Sequence, residues 1–150
     1  MSKNRLEAFS DGVSAVIITI MVLDMKVPQG TDLHALKSVV PVFLCYVLSY
    51  VYVGIYWNNH HHLLQASERV SGGILWANLV LLFCLSLAPF TTAWMGENNY
   101  APLPVAVYGL MLLFAGIAYF VLTKRLIAHH GKDSVLVRSS HCWLAPAMPL

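Results

Sequence analysis

Four long apolar stretches, separated by short polar connections, organise this chain. A helix that crosses a membrane needs roughly 20 mostly apolar residues. The pattern predicts spans over 8–27, 39–57, 74–95 and 103–122. The second is entered through Pro41 and the fourth through Pro102 and Pro104. Proline is tolerated in a first helical turn because that N–H has no helical partner anyway. Pro89 lies well inside the third stretch and predicts a kink. The connections VPQGTDLHALKS, NNHHHLLQASERVSGG and MGENNYAP carry the Pro, Gly, Asn and Asp of turn regions. No internal repeat or low-complexity segment is visible. The expected fold class is all-α: a polytopic membrane helix bundle of four transmembrane helices. They form one domain over 1–135, followed by an irregular tail over 136–150.

Composition agrees with that pattern. Of 150 residues, 58% are hydrophobic and 11% charged, with mean hydropathy +0.66. Soluble domains carry about 25% charged residues, so this chain could not cover a soluble surface. The first apolar run ends in LDMKVP, with no small-residue cleavage site, and reads as a retained helix. A formal charge of +2 is too small to suggest a nucleic-acid partner. Cys45, Cys84 and Cys142 form no CxxC pair, and the first two read as small core residues.

Lys and Arg set the expected orientation. Lys3, Arg5, Arg69, Lys124, Arg125, Lys132 and Arg138 gather on one side, with only Lys26 and Lys37 opposite. That places the N-terminus in the cytoplasm and the chain in the inner membrane.

The opening stretch RLEAFSD holds Arg5, Glu7 and Asp11 at the mouth of the first span. Ser10 or Asp11 could cap the helix. An acidic side chain near membrane depth usually has a partner. Arg5 is six residues from Asp11, about 9 Å along a helix, so a neighbouring helix or subunit is the better source. Beyond the motif, Phe9, Val13, Val16, Ile20 and Leu23 recur at helical spacing, with Thr19 on the edge of the stripe. Such a stripe can be ordinary packing. It can also ring a pore, where apolar constrictions gate by dewetting and hydroxyls replace water around an ion.

RLEAFSD resembles the RxxxFSD signature of the transmembrane protein 175 family, relatives of the endosomal and lysosomal potassium channel. YWNNHHHLL and LWANLVLLFCLSLAPFTTAWMGENNYAPLPVAVYG continue the likeness over about residues 3–135. The resemblance implies a six-helix unit assembled as a homotetramer, with the first helix lining a central pore for potassium ions. It implies that Val16 forms the constriction, that Thr19 contributes to selectivity, and that Ile20 and Leu23 line the same path. It implies a structural clasp of Arg5, Phe9, Ser10 and Asp11 with Trp57, His60 and His61. Glu7 is a variable motif position and receives no role.

Relatives carry two further helices beyond LTKRLIAHHGKDSVLVR. From about Ser139 the likeness stops, so the chain reads as a C-terminally shortened member. The alternative function is accordingly a non-conducting truncated membrane protein, or an interaction partner of intact relatives.

His60, His61 and His62 are consecutive and point about 100° apart on a helix, so no metal site is expected. Haem ligation would need histidines on a second span. No nucleophile triad, P-loop or paired catalytic carboxylates appear, so no enzyme activity and no cofactor are expected. The expected partners are potassium ions, other monovalent cations, the lipid bilayer and further copies of the chain.

Overall fold

The computed structural model describes residues 3–65 and 70–130. The tail expected over 136–150, with Cys142, lies outside the described residues, as do Arg69, Lys132 and Arg138. In hydrocarbon every backbone polar group must be satisfied within the protein, and a helix does this along its own axis. The chain forms α1 (Lys3–Leu23), α2 (Leu33–Gln65), α3 (Gly72–Ser86), α4 (Ala88–Glu97) and α5 (Pro102–His130). Among the described residues four stretches are long and apolar enough to span a membrane, α3 and α4 together making the third.

Helix ends and membrane depth differ, because apolarity marks only the latter. α1 begins at Lys3, ahead of the predicted 8–27 span, and ends at Leu23. Arg and Glu are good helix formers and extend it into the polar region. α2 contains the whole predicted 39–57 span and overruns both ends. Asp32 Oδ1 accepts the Ala35 N–H at 3.2 Å and caps the start. Pro41 therefore sits inside the helix rather than at its entrance. At the other end NNHHHLLQ is helical, which corrects its assignment to a connection. The 33 residues of α2 reach about 50 Å, against roughly 30 Å of hydrocarbon.

The third span breaks at Leu87. Pro89 is the second residue of α4 and has no N–H to offer the Leu85 carbonyl. The preceding connection between α1 and α2 turns at Gly30, whose φ of 136° only glycine adopts readily.

α5 packs along α3 and α4, while α1 packs against α2, α3 and α4. The core centres on Leu64, Ile74, Leu81, Ala115, Leu122 and Leu126, all fully buried. The exterior is apolar too: Trp76, Phe83, Phe90 and Phe120 stand more than 60% exposed. An apolar surface of that extent suits lipid and not water. At the Lys26 end, Lys26 pairs with Glu97 at 2.7 Å, and the Tyr100 hydroxyl donates to the Pro41 carbonyl at 3.0 Å.

Candidate functional site

α1 has two unlike faces. Leu6, Ser10, Ser14, Ile17 and Met21 are buried against the bundle. Arg5, Phe9, Gly12, Val16, Thr19, Ile20 and Leu23 lie on the exposed side. These two sets follow from 3.6 residues per turn, each recurring every three or four positions. Val13, grouped with the open stripe by spacing, instead packs partly against the core at the stripe's margin. Val16 is 55% exposed and Leu23 80%. The Thr19 hydroxyl donates to the Val16 carbonyl at 2.9 Å. Its proton is thereby turned back onto the helix, and the oxygen lone pairs are left facing outward.

Most polar contacts of α1 with other helices gather at its Lys3 end; at the other end the Thr92 hydroxyl donates to Met21 Sδ at 4.0 Å. Trp57 Nε1–H donates to Asp11 Oδ1 at 2.8 Å. The indole also stacks on His61, with ring centroids 5.8 Å apart. Glu7 Oε1 lies 2.9 Å from His61 Nδ1, off the line of the ring N–H. That contact is a close approach that does not meet hydrogen-bond geometry. His61 Nε2 meets the Gln65 side chain at 2.8 Å, and Lys3 Nζ donates to the Gln65 carbonyl at 2.8 Å.

Beneath these contacts runs a buried polar chain. Asn78 Nδ2 donates to Ser10 Oγ at 3.0 Å, and Ser10 Oγ donates to the Leu6 carbonyl at 2.9 Å. With the Asn78 amide so turned, its Oδ1 accepts from His60 Nε2 at 2.6 Å. Ser10, His60 and Asn78 are each 5% exposed or less. Inside a membrane such groups persist when every donor finds an acceptor. A second buried cluster, at the other end of α1, joins α2, α4 and α5. There Ser49 Oγ pairs with Thr92 Oγ1 at 2.6 Å and donates to Tyr108 OH at 3.0 Å.

The structure thus brings together Ser10, Asp11, Trp57, His60 and His61. Arg5 and Phe9 are not part of this set and stand on the open side of α1. The hydrogen-bond route from His60 to the first helix passes through Asn78, which residue spacing does not reveal. Its signal is a lone amide in the apolar run ILWANLVLLFCLS. Glu7, left without a role by the motif, is the acidic neighbour of His61.

Among the described residues, four apolar spans with an apolar exterior and buried polar ties between them define a multi-pass α-helical membrane protein. Residues 5–89 match the family model described as the endosomal/lysosomal potassium channel TMEM175. The chain belongs to that family and is a channel subunit, not an enzyme. A potassium channel of Chryseobacterium sp. (strain P1-3) is 54% identical over 141 residues, covering 94% of this chain and 73% of the relative. One of Streptomyces collinus is 36% identical, over 77% of this chain and 60% of its own length. The chain also resembles the crystal structure of a lysosomal potassium-selective channel TMEM175 homolog from Chamaesiphon minutus. That match has a TM-score of 0.78 and 30% identity, and covers 93% of this chain and 79% of that one.

Proposed function

We propose that copies of this chain assemble as a homotetramer around a potassium-permeable pore lined by α1. The observation that carries the reading is the open face of α1. Val16, Thr19, Ile20 and Leu23 share it, while the opposite face is tied into the subunit. Four such faces about an axis place a ring of Val16 side chains in the path as an apolar constriction, which opposes hydrated ions by dewetting. The outward Thr19 oxygens, one turn on, offer partial negative charge where an ion sheds water. Ser10, Asp11, Trp57, His60 and His61 act as the clasp that fixes the angle of α1. Arg5 and Phe9, on the open side, meet the neighbouring copy. The chain lies in the inner membrane with its Lys3 end in the cytoplasm, as the Lys and Arg distribution favours.

The test is potassium flux from liposomes containing the purified chain, with sodium in parallel. Val16→Ser is expected to raise flux, and Thr19→Val to reduce the preference for potassium over sodium. Inserted, folded protein that passes no ion would overturn the reading. It would favour a non-conducting membrane protein that partners other family members.

A further inference from the structure

A second surface feature lies on the far side of the molecule from the open face of α1. Asn78 points from α3 to Ser10 of α1. Trp76, Val80 and Phe83 sit about 140–160° around α3 from Asn78, at 100° per residue. They therefore face away from α1. With Phe114 and Ile117 of α5 they line an apolar groove of about 670 Å³. From Leu87 to Gly73 the groove follows α3 for roughly 21 Å, longer than the roughly 15 Å depth of one hydrocarbon leaflet.

One end of the groove is cationic. It runs into a second cleft of about 590 Å³ bounded by Ser71, Lys124 and Arg125. Both cations are exposed, and among the described residues no carboxylate pairs with either. The Lys124 ammonium lies 5.3 Å above the Phe120 ring. The Arg125 guanidinium lies over the first turn of α3. A Cβ at Gly73 would stand 2.6 Å from Arg125 Nη1, so the missing side chain makes room for it. Ser71 provides no side-chain cap; its carbonyl takes the Ile74 and Leu75 N–H groups, which leaves those of Gly72 and Gly73 at this end. An apolar channel of acyl length that ends in two cations and a helix N-terminus matches one molecule. It needs a hydrocarbon tail and a negative head.

We propose that the α3–α5 groove binds an anionic phospholipid, with an acyl chain along Trp76, Val80 and Phe83 and the headgroup phosphate between Lys124 and Arg125. The site requires only that the chain spans a membrane, and it stands whether or not α1 lines a pore.

The test is native mass spectrometry of the full chain released from vesicles of equal phosphatidylglycerol and phosphatidylcholine. Wild type should retain phosphatidylglycerol in preference. The exposed pair K124Q/R125Q should lose that preference by roughly 30-fold, each cation contributing as a juxtamembrane Lys or Arg does. Val80→Trp, which fills the groove and leaves the cations intact, should release the lipid as well. Glycerol phosphate, which has the head but no tail, should not compete. Equal retention of the two lipids, a preference unchanged in K124Q/R125Q, or displacement by glycerol phosphate would each overturn the proposal. A lipid-free dimer formed through this face would do so too.

Discussion

Replacing Asn78 with alanine would remove the acceptor for His60 and the donor to Ser10 in one step. A buried donor left unpaired costs roughly 1–3 kcal/mol. Asn78→Ala should lower the thermal unfolding midpoint in micelles by a matching amount. Ser10→Ala should cost less, since the His60–Asn78 bond survives. A midpoint for Asn78→Ala equal to wild type would show that the chain of bonds is dispensable. Asp11 separates charge from geometry. Asp11→Asn keeps an acceptor oxygen for the Trp57 indole, whereas Trp57→Phe deletes the donor. Asp11→Asn should therefore unfold nearer to wild type than Trp57→Phe does, and the reverse order would assign the contact to charge. Asp11 and Trp57 are legible as candidates from residue type and motif, because an acidic group near membrane depth needs a partner. Asn78 is not, because which residues meet across helices depends on the relative depth of α1, α2 and α3. Apolar counting does not fix that depth.

At the scale of elements, two glycines should respond oppositely to one substitution. A Cβ at Gly96 would stand 2.8 Å from Val42 Cα, so α4 and α2 meet there backbone to backbone. Gly96→Ala should cost about 1–3 kcal/mol through overpacking. Gly54 on α2 has nothing within 4 Å of its absent Cβ. Gly54→Ala should stabilise the helix by up to about 1 kcal/mol. Thermal unfolding of both in the same detergent checks the pair, and two shifts of the same sign would count against this packing. The four spans are legible because hydrocarbon demands long apolar runs. Their ends are not, because NNHHHLLQ is polar yet helical. The two internal prolines make the same point. Pro89 falls at a break, whereas Pro41 lies within α2, whose start is fixed nine residues earlier by the Asp32 cap. Each proline sits in an apolar run, and local sequence does not tell them apart.

For the whole molecule, the open face of α1 separates folding from assembly. Gly12 is exposed on that face, with nothing within 4 Å of its absent Cβ. Gly12→Leu should leave the unfolding midpoint of the isolated subunit nearly unchanged. It should also shift the oligomer towards monomer in light scattering. Assembly identical to wild type would mean that copies meet elsewhere. The polar ties of α1 carry a mechanical consequence as well. Those described above, from Lys3, Glu7, Ser10 and Asp11, fall within its first three turns. Beyond them α1 is held by the packing of Ser14, Ile17 and Met21 and one long Thr92 Oγ1–Met21 Sδ contact at 4.0 Å, which resist sliding less than the shorter directed bonds do. The helix is thus a lever with its fulcrum at Ser10 and Asp11. The arm from Asp11 to Leu23 is about 18 Å, and a tilt of about 5° would carry Leu23 sideways by roughly 1.6 Å, about the width of a methyl group's radius. A small rotation at the clasp is thereby magnified at Leu23, just before the Lys26–Glu97 pair that anchors the connection beyond it.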